Sequence, residues 1–287
     1  METNYIEMRK YRDFGEVFNA TFAFLRQEFK PLITKMLVYF GPVAVLSAIA
    51  VASYLTSFSS IFKLIQGNPE SWLPMMMKHY AMMILATWLS QSMLVSVVFT
   101  YMALYNERGK GNFSNEEYRD RVFANFAKAL IFTIPIGLLL MLGIAACFIP
   151  GIYLGVVFAF FFPIVIFENK SFGEAFGRSF TLGNYAWWWS FLLIIVCYII
   201  VSVVGMLFTL PATLFTSISM FHSIQGEEVS SNVKLISTIV TVVANFIGNM
   251  LYVVPLTAVA FQFFSIKESL ENTRLMDKID SIGNEGN

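Results

Sequence analysis

Residues able to do chemistry are few in this chain, and their spacing matters more than their number. His79 and His222 are the two histidines, and Cys147 and Cys197 the two cysteines, both inside apolar runs without C-x-x-C spacing. That excludes a disulfide framework and gives a zinc ion no ligand set. A nucleophile beside a base, a carboxylate pair in a cleft or a metal cluster would each announce catalysis, and none is found. Met75-Met76-Met77-Lys78-His79-Tyr80, with Met82 and Met83, carries thioethers and an imidazole of the kind that hold Cu(I). Adjacent methionines on a helix cannot all face one site, so adaptable packing is the preferred reading. The expectation is a protein without catalytic residues, cofactor or metal.

Two constellations remain. Glu168, Glu174 and Arg178 crowd the stretch ENKSFGEAFGRSFTLGNYAWWW, which ends in Trp187, Trp188 and Trp189. Glu174 and Arg178 stand four apart in the favourable order, yet such a pair on a solvated helix contributes only about 0.2–0.5 kcal/mol. The alternative is that Glu174 serves a cap and Arg178 reaches Glu168 or an anionic headgroup. Thr241, Asn245 and Asn249, spaced i, i+4 and i+8, form a polar stripe in the last apolar run. In hydrocarbon such residues hydrogen-bond neighbouring helices, here the Ser90-Gln91-Ser92 region, or line a polar path.

The elements that must carry these residues follow from composition. With 57% hydrophobic and 13% charged residues and a mean hydropathy of +0.65, the chain is far more apolar than a soluble domain, at about 45–50% and about 25%. It reads as an all-α, polytopic integral membrane bundle, one membrane domain over residues 1–287 with about six transmembrane helices. Spans are expected near 32–57, 80–105, 129–149, 152–168, 185–210 and 235–266, the fourth short enough to span or to re-enter. Pro150-Gly151 is read as the turn of a tight hairpin, Pro211 as a span's end and Pro255 as a bend in the last span. Amphipathic helices are expected over 13–30, 114–128 and 171–184, each opened by a capping pattern: Asp13-x-x-Glu16, Ser114-x-x-Glu117 and Ser171-x-x-Glu174. Asp13–Phe22 and Ser171–Phe180 are also similar in sequence, sharing Phe14/Phe172, Gly15/Gly173, Glu16/Glu174, Phe18/Phe176 and Phe22/Phe180, an internal repeat.

Charge gives the orientation. Of the 19 Lys and Arg, 16 fall in the N-terminal, 106–128, 168–184 and C-terminal segments, against Lys63, Lys78 and Lys234 in the other loops. The positive-inside rule then places both termini, the three capped helices and the 267–287 tail in the cytoplasm. The tryptophans fall at that interface. Arg9, Lys10 and Arg12 are followed by no continuous apolar run, which predicts no cleavable leader. Zero net charge gives no reason to expect nucleic acid.

Ile149-Pro150-Gly151-Ile152-Tyr153-Leu154, then Pro163, Glu168, Glu174-Ala175-Phe176, Arg178-Ser179-Phe180, Leu182 and the Trp cluster form a further pattern. It resembles the membrane domain attached to some glycerophosphoryl diester phosphodiesterases, and the stand-alone proteins of that superfamily. The resemblance covers 150–189 well and the first 130 residues mostly by hydropathy. It implies a six-helix bacterial inner-membrane protein. It does not carry over phosphodiesterase activity, which in that family belongs to a separate barrel with His and carboxylate metal ligands. The functional expectation is a non-enzymatic, multi-pass cell-membrane protein that associates with lipid, with other membrane proteins or with its own copies. A transporter or channel for a small or lipidic solute is the alternative.

Overall fold

A computed structural model describes residues 5–59, 69–225 and 231–285. Lys63 lies outside the described residues, as do the side chains of His222 and Lys234. The described residues form helices and no strand. In order these are α1 (Phe14–Gln27), α2 (Phe29–Lys35), a π turn (Met36–Phe40), α3 (Gly41–Ser59), α4 (Pro69–Arg108), α5 (Asn115–Ala146) and α6 (Phe148–Ala159). After them come α7 (Phe161–Phe167), α8 (Phe172–Tyr185), α9 (Trp187–Ile224), α10 (Ser231–Leu251) and α11 (Val253–Glu285). Among the described residues, six stretches are long and apolar enough to cross a bilayer: Phe29–Ser57, Leu73–Arg108, Asn115–Ala146, Phe148–Phe167, Trp187–Ile218 and Ser231–Asn272. A hydrocarbon core of about 30 Å needs about 20 residues. The chain is a multi-pass membrane protein.

Proline acts differently here than its turn-forming reputation predicts. Pro211 does not end α9, which runs on to Ile224; within a membrane the backbone groups that a proline frees find other partners. The last span breaks at Tyr252, between α10 and α11, and not at Pro255. Pro255 is the third residue of α11, where its missing N–H belongs to a turn without intrahelical acceptors. Likewise the hairpin turns at Cys147, in extended conformation (φ −170°, ψ 143°), and Pro150 sits in the first turn of α6.

That leaves Gly151 with another task. A Cβ there would come within 3.0 Å of both Cα and N of Ile144, and a Cβ on Gly143 within 3.3 Å of Gly151 Cα. Glycine is needed because the hairpin arms touch backbone to backbone. Gly151→Val is expected to destabilise the protein by about 1–3 kcal/mol, read as a lower melting temperature in detergent. Gly155→Ala, with nothing within 4 Å of its Cβ, should be neutral or slightly stabilising.

The chain clusters into two compact units, Met1–Leu32 with Val95–Tyr198 and Val254–Asn287, and Ile33–Leu94 with Ile199–Val253. In the first, the repeat is structural as well as sequential. Helix α1 buries Val17, Thr21 and Phe24, and α8 buries Ala175, Ser179 and Leu182, the same three positions of each copy. Thr21 and Ser179 both donate to the carbonyl four residues back, at 2.8 and 2.7 Å. The Phe14/Phe18/Phe22 and Phe172/Phe176/Phe180 faces stay half-buried in both. Phe24 then seats edge-on against Tyr105, at 5.1 Å, and Phe261, at 5.7 Å.

In the second unit α3 packs on α10, with Ala44, Ala48 and Ala52 buried at helical spacing. Small side chains allow that close approach.

Candidate functional site

The central stretch is tied down at Glu168, which caps α7 and is 8% exposed. Arg178 on α8 donates from Nη2 to Glu168 Oε1 at 2.8 Å, and its Nε lies 2.5 Å from Oε2. Lys267 on α11 places Nζ 3.1 Å from Oε1. One carboxylate thus holds two cations from two helices. Glu174 takes no part. It accepts from Ser171 N at 3.0 Å, Ser171 Oγ at 2.7 Å and Lys170 Nζ at 3.1 Å, closing the capping box of α8.

Those donors hold the Glu174 carboxyl down to about 2, the Ser171 hydroxyl first among the causes. Because the folded value lies below the unfolded one, the stability this carboxylate adds is complete above about pH 4.5 and lost as pH falls toward 2. The melting difference between wild type and Glu174→Ala should therefore be constant at neutral pH and shrink over that acid window.

Helix α8 ends at Ala186 (φ −134°, ψ 42°), and the redirected chain sets the three tryptophans at the start of α9. Trp187 stacks on Phe191 at 5.0 Å and on Tyr153 at 6.3 Å, and donates from Nε1 to the Tyr153 carbonyl at 3.4 Å. Trp188 is 74% exposed. Trp189 leans on Phe14, ring centroids 6.0 Å apart. Two grooves meet along Tyr185, Ala186 and Trp189. One, of about 740 Å³, is aromatic and aliphatic, walled by Ile149, Ile152, Tyr153, Trp187 and Trp188. The other, of about 610 Å³, is mixed, with polar atoms from Arg12, Asp13, Gln262, Ser265 and Ser269 among walls that also include Tyr11, Phe14 and Ile266.

Arg12, one of the basic residues near the N-terminus, is 9% exposed. Its Nη1 donates to the carbonyls of Met8 at 3.1 Å and Lys10 at 3.3 Å, Nη2 donates to the Glu7 carbonyl, and the guanidinium lies 5.3 Å from the Phe261 ring. Its backbone exchanges bonds with the Ser265 hydroxyl, receiving at 2.8 Å and donating at 2.9 Å. Burial lowers its pKa, and the charges of Glu16 and Glu7 partly offset that. Glu28 carries no signal of its own in the sequence. It is 1% exposed, accepts from the Tyr101 hydroxyl at 2.7 Å and lies 3.2 Å from Lys110 Nζ.

In the second unit, Gln91 Nε2 donates to Asn249 Oδ1 at 3.0 Å, while Asn245 and Asn249 donate to the carbonyls of Thr241 and Asn245, both at 2.9 Å. Thr241 and Asn245 border a small cavity of about 240 Å³ with Thr213 and Thr216. His79 Nδ1 lies 2.8 Å from the Met75 carbonyl.

No family model, curated protein or solved structure matches this chain.

Proposed function

We propose that this is a non-enzymatic membrane protein that works by binding a membrane lipid at the Trp187–Trp189 junction. The observation that carries the reading is the pair of grooves sharing one wall, largely apolar on one side of Trp189 and carrying charged and polar side chains on the other. That division matches an amphiphile, with acyl chain along the aromatic groove and headgroup beside it. Volumes of about 300–1,000 Å³ are ordinary for ligand sites, and tryptophan favours the level where chain meets headgroup. Membership of the stand-alone phosphodiesterase membrane-domain superfamily belongs to the same proposal, supported by the motif over 149–189. The transport reading is weaker, because Asn249 spends its amide oxygen on Gln91 and its nitrogen on its own helix.

Native mass spectrometry of the detergent-solubilised protein tests the reading. Wild type should retain one phospholipid per chain through delipidation. Trp188→Ala and Ile149→Ser, both at exposed groove positions, should lose it with melting temperature unchanged. Equal retention by wild type and both variants would overturn the assignment.

A further inference from the structure

The mixed groove carries both signs of charge. Arg12 and Asp13 are consecutive in sequence and both line it, and they are differently occupied. The guanidinium is bonded to carbonyl oxygens and to a ring face, and among the described residues no carboxylate lies within ion-pair distance of it. Neutral acceptors satisfy its N–H groups, and Glu16 and Glu7 offset its charge only in part, without direct contact. Asp13 gives Oδ1 to the N–H of Glu16, at 2.7 Å, and in return its own N–H bonds Glu16 Oε2 at 3.1 Å. The cap uses one oxygen of that carboxylate and neutralises neither acid. A purely anionic ligand would gain from Arg12 and be repelled by Asp13 and Glu16. A purely cationic one would meet the reverse.

We infer that this groove recognises a zwitterionic aminophosphate headgroup, a phosphate beside a primary ammonium as in phosphatidylethanolamine, with phosphate toward Arg12 and ammonium toward Asp13. The inference rests on the lipid-binding reading and adds the headgroup class to it. Gln262, Ser265 and Ser269 also line the groove. A primary ammonium donates three hydrogen bonds, which a carboxylate can accept and a trimethylated amine cannot offer. Phosphatidylcholine, of equal charge, should therefore bind less well, and so should anionic phosphatidylglycerol.

The test uses the full chain in detergent, titrated with dimyristoyl-phosphatidylethanolamine, -phosphatidylcholine and -phosphatidylglycerol and read by native mass spectrometry. The expected result is about tenfold tighter retention of the ethanolamine lipid. Asp13→Asn is the decisive variant, because asparagine caps a helix as well as aspartate does. It should abolish the preference, loosening the ethanolamine lipid to the level of phosphatidylcholine, while leaving the melting temperature unchanged. Equal retention of the three lipids by wild type, or a preference surviving in Asp13→Asn, would overturn the headgroup assignment and leave lipid binding standing. Loss of all lipid in wild type would instead overturn the underlying reading. Soluble glycerophosphoethanolamine is the last arm. Displacement of the lipid only at large molar excess supports a membrane source, and displacement at equal concentration would overturn it.

Discussion

Glu168→Ala should be among the most damaging single substitutions in this protein, costing about 2–4 kcal/mol, read as a lower melting temperature in detergent. Breaking a buried ion pair by removing one partner typically costs about 3–5 kcal/mol, because the other charge is left uncompensated. Here two cations are left, Arg178 and Lys267, at 27% and 19% exposure, and their partial access to water reduces the cost. Arg178→Gln and Lys267→Gln should each cost less, since Glu168 keeps the other partner. In a double-mutant cycle Glu168→Ala should mask most of the effect of Arg178→Gln. Additive losses would show that the two side chains do not act on one another.

How much of this was legible in the sequence can be judged at the same residues. Glu168 and Arg178 are ten apart, close enough that a local argument joins a helix end to the next helix. Lys267 was not reachable that way. Nothing in its neighbourhood says which acid it meets, because the contact depends on how a distant helix returns. The six spans were visible because each is written in composition, and the caps because each is written in four residues. The buried face of α1 was not. The phenylalanines at three- and four-residue spacing make the helix amphipathic without saying which side packs, and it is Val17, Thr21 and Phe24 that are buried while Phe14, Phe18 and Phe22 stay half-buried. Hydrophobicity ranks side chains against water, and a helix in a membrane protein can turn a greasy face to lipid while burying a tighter-packing one. The same limit misplaced the hairpin turn. Pro150-Gly151 has the composition of a turn, and the property in use is the missing Cβ.

The largest effect that runs against intuition is expected at Lys110. Glu28 is 1% exposed, and its charge is met by one hydroxyl and by Lys110, on a turn whose flanking residues Gly109 and Gly111 have positive φ of 82° and 69°. Lys110→Ala removes a side chain that is 39% exposed, normally a mild change. Here it strands a carboxylate that cannot reach water, so a loss of about 2–4 kcal/mol is expected. Glu28→Gln is the opposite case. The amide can still accept from Tyr101, and Lys110 can turn out into solvent, so the cost should be about 1–2 kcal/mol. The double variant should then be more stable than Lys110→Ala alone, a rescue that a purely steric role for the lysine would not produce. Chemical denaturation of the three variants in one detergent decides it, and a double variant no more stable than Lys110→Ala would show that Glu28 does not depend on that charge. The second copy of the repeat has Ala186 where the first has Glu28. The two capped helices therefore dock through the same three positions and part company at the fourth, one ending on a buried charge and the other on the bend that sets out the tryptophans.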